Sequence, residues 1–276
     1  MKTTMRRFFI SLLLVACSAL PVAAEVGEAF PVAANPDGEA SFTLSKNWNE
    51  KLSYTLYFNW KFVWIKAGKA SLTTRSTTYK GLPAVESTLL AQSAGAAESI
   101  YHLSDTLRTV VSTELDPLYF VKHCEEGDDI VYERAWFSRT AEGRYRADIS
   151  KVYTDGHERK ADYVGDKPVY DMISVMLHAR SLDFRSLTKG RRLVYPVAGG
   201  KRVEMQTLVY LGREKIKKQS GDTADTHVFS LVTPKTKDGI TTEQEVLRFY
   251  ITTDDSHTPL QIDLFLKFGC AKAKLD

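Results

Sequence analysis

Residues 52–64 read Leu-Ser-Tyr-Thr-Leu-Tyr-Phe-Asn-Trp-Lys-Phe-Val-Trp, with Tyr54, Leu56, Phe58, Trp60, Phe62 and Trp64 at every second position. Side chains alternate faces along a strand, so this spacing predicts one long strand with a strongly aromatic face. Lys66-Ala67-Gly68 interrupts the run, and Gly68 suits a turn or bulge because it lacks Cβ. The Thr-rich residues 69–79 then read as the partner strand of a hairpin.

Working outward, short β-branched and aromatic runs recur at roughly ten-residue spacing. They cover 83–91, 100–106, 108–115, 118–124, 130–138, 144–153 and 157–163. After residue 190 they resume at 191–196, 202–211, 215–218, 226–232, 245–252 and 260–268. Asp155-Gly156 and Gly199-Gly200 mark tight turns. So many strands must curl or fold over to protect their edges. The expected fold is therefore all-β and mainly antiparallel, a barrel or a strongly curved sheet or sandwich.

One stretch departs from this pattern. Residues 168–183 place Val169, Met172, Ile173, Met176 and Ala179 on one helical face, and Asp171, Ser174, His178 and Ser181 on a second stripe. A helix is expected here, with Asp166 as N-cap and Pro168 in the first turn, packed on the β structure or capping it. The Asp/Ser/His stripe invites a hydrolase reading. No Gly-x-Ser-x-Gly elbow surrounds Ser174, so a polar helix face is the better reading and no catalytic residue is assigned.

The first residues have a leader's plan. Lys2, Arg6 and Arg7 precede the apolar run 8–16, which is too short to span a membrane. Two processing schemes fit. Cleavage after Ala24 would remove residues 1–24 as a signal peptide. Alternatively, Leu14-Val15-Ala16-Cys17 forms a lipobox, leaving Cys17 acylated and residues 1–16 removed. Either scheme predicts export to the periplasm, with the domain unanchored or tethered by lipid. Residues 25–46 read as a linker and 47–276 as a single β-rich domain. No other stretch approaches the length of a transmembrane span.

Of the 37 basic residues three lie in the leader, which has no acid, so the remainder balances the 34 acidic residues. Nucleic acid is not an expected partner. Between 185 and 218 ten basic residues face only Glu204 and Glu214. They read as outward strand charges, or as a patch for anionic headgroups. Cys124 and Cys270 could pair in an oxidising compartment, or stand as separate buried thiols. The six histidines show no metal-ligand spacing, and the acidic run 125–129 reads as a solvated turn. No metal or cofactor is expected.

Three short stretches carry a resemblance: the hairpin from Leu52 to Leu72 with its Ala67-Gly68 break, the helix start Asp171-Met172-Ile173-Ser174 running to Arg180, and the turn from Thr253 to Pro259. Together they resemble a family of exported Gram-negative envelope proteins catalogued as a domain of unknown function. The resemblance implies a β-rich fold and an envelope location, and supplies no activity and no site residues.

The residues themselves favour a non-enzymatic envelope protein that binds a lipophilic or amphipathic ligand in a barrel-type pocket. Tyr54, Phe58, Trp60, Phe62, Trp64, Met172 and Met176 would meet the apolar part, and Arg191 and Arg192 an anionic head. A protein–protein or assembly module of the envelope is the first alternative, and a hydrolase built from strand ends the second.

Overall fold

The computed structural model describes residues 48–60, 63–99, 101–238, 240–266 and 269–276. Alternation of apolar and polar side chains produces fourteen strands: β1 (Glu50–Trp60), β2 (Val63–Tyr79), β3 (Leu82–Ser93), β4 (Leu103–Ser112), β5 (Pro117–Glu126), β6 (Asp129–Arg139), β7 (Tyr145–Val152), β8 (Glu158–Gly165), β9 (Arg192–Ala198), β10 (Val203–Lys217), β11 (Thr223–Lys237), β12 (Ile240–Thr252), β13 (Pro259–Leu266) and β14 (Gly269–Leu275). Among the described residues a single α-helix, α1 (Met172–Ser181), lies between β8 and β9.

All fourteen strands belong to one antiparallel sheet, ordered β8-β7-β6-β5-β4-β3-β2-β1-β14-β13-β12-β11-β10-β9. The chain starts mid-sheet, steps outward to β8, crosses by way of α1 to the far edge at β9, and steps back to β14 beside β1. The sheet is strongly curved but not closed, since β8 and β9 do not pair. The curvature brings β5 opposite β9–β12, because Phe120 and Lys122 share one small cavity with Val197, Gln206, Leu231 and Leu247. A sandwich of two separate sheets is thereby excluded.

The aromatic strand breaks sooner than its alternation suggests. β1 ends at Trp60 and β2 begins at Val63, and these two residues pair, so the two strands already form a hairpin before Trp64. Lys66-Ala67-Gly68 runs inside β2, where the register shifts opposite Leu56 and Tyr57. Glycine is required at 68 by close approach: a Cβ there would stand 2.0 Å from the Gln92 carbonyl oxygen. Asn59 pairs with Trp64, which puts Trp64 on the face opposite Phe58.

The helix is shorter than expected and more deeply placed. Its N-cap is Asp171 and not Asp166. Asp171 accepts from the backbone N–H groups of Ile173 (2.9 Å) and Ser174 (3.1 Å), and Ser174 Oγ accepts from the Asp171 N–H (2.9 Å), which makes a capping box. Thr109 Oγ1 on β4 donates to Asp171 Oδ2 at 2.7 Å and fixes the helix start to the sheet. Tyr170 bridges in parallel to Val197, and the Tyr170 carbonyl accepts from the Ala198 N–H at 2.7 Å, so this crossing segment covers part of the β9 edge. Every helix residue except Met172 is buried. The helix is thus enclosed by the sheet instead of resting on it, and its polar stripe meets protein on all sides.

Asp171 is fully buried, and burial pushes its carboxyl pKa up against the pull of Thr109 and Ser174. Asp171→Ala removes a cap and leaves the Thr109 hydroxyl and two helix N–H groups without their acceptor. The expected loss is about 2–4 kcal/mol, from a cap of ~1 and buried unsatisfied donors of ~1–3. Asp171→Asn should lose roughly half as much. Chemical unfolding midpoints check both; a loss below about 0.5 kcal/mol for the alanine variant would refute the account.

Candidate functional site

The residues expected to bind a ligand do not converge. Tyr54 and Phe58 are buried on the inner face, with Tyr54 Oη donating to the Pro259 carbonyl at 2.9 Å. Trp60 is described only through its backbone, and Phe62 lies outside the described residues. Trp64 is 43% exposed on the outer face, with the Lys272 ammonium 4.9 Å from its ring. Met176 is buried in the core, and Met172 lines the small cavity. Arg191 is half-buried, and Arg192 is exposed and ion-paired with Glu243. Three more of the ten basic residues in this stretch meet acids: Arg185 meets Asp183, Arg202 meets Glu204, and Lys215 meets Asp225. These are outward strand and turn charges.

Cys17 lies outside the described residues. Cys124 and Cys270 are free thiols, and no bond joins them. Cys124 points inward from β5 among carboxylates, whereas Cys270 Sγ donates to the neighbouring Ala271 carbonyl.

The cavity bounded by Phe120, Lys122, Met172, Val197 and Leu247 measures about 20 Å³. That is room for roughly one water, against ~300–1,000 Å³ in a small-molecule pocket. Ser174 Oγ donates to Asp171 (2.9 Å to each of its carbonyl and Oδ2 atoms), and His178 packs between Tyr170 and Tyr195 rings 4.9 and 5.8 Å away. Burial pushes the His178 pKa down to about 4, so it is neutral at pH 7.

Two features stand out against this packed background. The first is a band of charge on the inner face. Cross-strand register places Leu107, Lys122, Glu133 and Lys151 side by side across β4–β7. Lys151 and Glu133 are 1% and 0% exposed and lie 3.6 Å apart. The adjoining row sets Asp105 beside Cys124, with Glu126 paired to Leu103. Asp105, Cys124 and Glu126 are each 1% exposed, and their ligating atoms lie within 4.8 Å of one another. Glu126 belongs to the acidic run expected to be a solvated turn, but strand alternation carries it inward as the last residue of β5. The readable signal was phase: Lys122, Glu133 and Lys151 occupy the same alternation phase as Phe120, Ala135 and Ile149.

Burial, with Glu126 adding repulsion, pushes the Asp105 pKa from its ordinary value up to about 7. An acid whose pKa rises on folding gives stability that is present at low pH and lost as pH rises through the folded value. In metal-free buffer, the stability of the native protein relative to Asp105→Asn is expected to fall between about pH 4 and pH 7. Thermal melts across that range check it; parallel pH profiles would sink it.

The second feature is an aromatic and arginine ladder on the outer face of the same strands. Tyr119 pairs with Trp136 and His123 with Tyr132 across β5 and β6, each with ring centroids 6.0 Å apart. The Arg134 guanidinium lies 4.8 Å from the Tyr132 ring and 5.6 Å from Trp136, and Arg108 lies 5.8 Å from Tyr119. Trp136 is 38% and Ile130 47% exposed at its ends. Arg108 is held by Glu86 at 3.5 Å, whereas Arg134 Nε has no hydrogen bond. Stacked cations on strand faces are stable without any ligand, worth ~0.5–1 kcal/mol each at exposed sites.

Together these features define an open, strongly curved antiparallel β-barrel-like protein whose interior is occupied by its own helix. The chain belongs to the family described as a protein of unknown function, DUF3108, whose model matches residues 53–276. Among solved structures it is similar to a β-barrel-like protein of the domain of unknown function DUF1849 from Brucella abortus. That similarity has 10% sequence identity and a TM-score of 0.48, and covers 82% of this chain and 95% of the other. No curated protein matches the sequence. No helix among the described residues is long and apolar enough to cross a membrane.

Proposed function

We propose that this protein is an exported, non-enzymatic binding protein of the cell envelope that engages a protein partner through the outer face of β4–β6. The observation that carries this reading is the outer-face ladder of exposed Trp136 with half-buried Arg134 and Tyr132, beside an inner cavity that measures about 20 Å³. Trp, Tyr and Arg are the residue types that dominate binding energy at protein interfaces. The Arg134 guanidinium, held between two rings, fits a partner that presents a carboxylate. Export rests on the basic and apolar leader of residues 1–24. A lipophilic ligand held inside the barrel is the weaker reading, because the enclosed helix takes up the space it would need.

The test places a photo-cross-linking amino acid at Trp136, and separately at exposed Lys215 on β10, in cells of the source organism. A discrete protein adduct at 136, absent at 215 and lost when Arg134→Ala is added, is the expected result. Equal adducts at both positions would overturn the proposal. So would a lipid retained at one per chain in native mass spectrometry of the purified protein, with no protein adduct at 136.

A further inference from the structure

We propose that Asp105, Cys124 and Glu126 form a buried binding site for a divalent transition cation of the zinc class. The site goes beyond the surface reading above, since it sits on the opposite face of the same strands. Adjacent strands supply all three ligands: Asp105 stands directly opposite Cys124, and Glu126 follows two residues along β5 on the same face. Their ligating atoms already lie within 4.8 Å of one another. With metal bonds of about 2.0–2.3 Å, a tetrahedral ion holds such atoms roughly 3.5 Å apart, so the three close by about 1 Å on binding.

A second, independent observation points to a ligand. Neither carboxylate oxygen of Asp105 meets a donor in good hydrogen-bond geometry, although the residue is 1% exposed; the donors that act on it are the thiol of its fellow ligand Cys124 and the Glu125 N–H. A buried carboxylate left in that state is costly, and such groups call for a physical explanation. Charge gives one. Once deprotonated, the two carboxylates and the Cys124 thiolate carry −3, the neighbouring Lys122 ammonium brings the sum to −2, and a divalent cation takes the place of the protons that Cys124 and Asp105 give up. The donor set of one thiolate and two carboxylates suits zinc, with water in a fourth position.

The surroundings match a second shell. Tyr101 Oη donates to Glu126 Oε2 at 3.4 Å, which orients that carboxylate. Tyr101 and Leu103, packed against Leu264, form a small apolar cluster of their own on this side of the sheet. Binding exchanges protons for metal: the Cys124 S–H bond breaks, an S–metal bond forms, and the proton leaves to solvent. Asp105 releases its proton likewise where it is protonated. Affinity should therefore rise with pH.

Cobalt(II) serves as the probe, because its thiolate complexes absorb strongly in the near ultraviolet. Titration of the full, metal-stripped chain should give one thiolate charge-transfer band that saturates at one cobalt per chain and is erased by zinc. Cys124→Ser should abolish the band, and Asp105→Asn should weaken binding on the order of 100-fold. Cys270→Ser should leave the band unchanged. Asp105→Asn is nearly isosteric, so it keeps the test decisive if Cys124→Ser fails to fold. A band that follows Cys270, undiminished affinity in Asp105→Asn, or no band at all would overturn the proposal. None of these outcomes depends on a protein partner at Trp136.

Discussion

Glu50→Ala is expected to destabilise the protein by about 3–5 kcal/mol, the range for removing one partner of a buried ion pair. Arg180 on α1 is 0% exposed. Its Nη1 and Nη2 donate to Glu50 at 2.5 and 2.9 Å, a bidentate fork across β1 and the helix. Its Nε donates to the His257 carbonyl at 2.8 Å, and the Trp48 ring lies 5.3 Å from the guanidinium. His257 Nδ1 lies 2.7 Å from the Arg180 carbonyl and donates to it, which fixes that ring's tautomer. Without Glu50, a full positive charge stays inside the fold with only neutral partners. Glu50→Gln keeps an acceptor and should lose about half as much. The compensated variant Glu50→Leu/Arg180→Met should recover part of the loss, since a buried pair replaced by apolar groups is often near neutral. Denaturant midpoints with unchanged slopes measure all three. A loss under about 1 kcal/mol for Glu50→Ala would mean that Trp48 and His257 suffice to hold the cation.

Glu133→Gln is expected to have a comparable effect, about 3–5 kcal/mol. It removes the anion that lies between Lys122 and Lys151 in the cross-strand row. Burial pushes the Glu133 carboxyl pKa up, while the two ammonium groups pull it down, so the charged form depends on both. With Gln at this position, the Lys151 ammonium keeps only the Tyr153 ring, 5.5 Å away, as a described partner. The turn after β9 packs directly on this pair. Gly200 has φ +70°, and a Cβ there would stand 2.4 Å from Glu133 Oε2 and 2.9 Å from Lys151 Cδ. Gly200→Ala should therefore cost more than the ~1–2 kcal/mol of left-handed backbone alone. In Glu133→Ala that excess should shrink, because the nearer obstruction, the carboxylate, is gone and only the flexible Lys151 side chain remains in the way. A double-mutant cycle on the two positions reads the coupling directly. Strict additivity would show that the turn and the charge row are independent.

Arg180 also joins segments that lie far apart in the chain. The opening hairpin begins beside Glu50, the second stretch ends at Arg180, and the third contains His257. In space they meet through one guanidinium. Nothing in their spacing along the chain announced that contact.

The strand pattern and the helix at Met172–Ser181 were readable because each rests on local periodicity. Period-two alternation identified most of the strands and their turn residues, and one period-3.6 stretch identified α1. The hairpin turn was misplaced because β-branched and aromatic residues continue past Trp60 without a Gly or Pro to mark the end of β1. β14 was missed because Gly269–Leu275 is rich in Ala and Lys, and only its pairing between β1 and β13 makes it a strand.

What the sequence determined by itself was which residues form strands, where the one helix falls and which side chains share a strand face. What only the tertiary structure decided was which face is inside. Curling the sheet around α1 turned Tyr54 and Phe58, on the aromatic face of β1, into core. It also drew Asp105, Lys122, Glu126, Glu133 and Lys151 out of water. Alternation fixes two faces but does not label them, and a charged residue goes inside only where neighbouring strands supply its partners, as β5, β6 and β7 do for Lys122, Glu133 and Lys151.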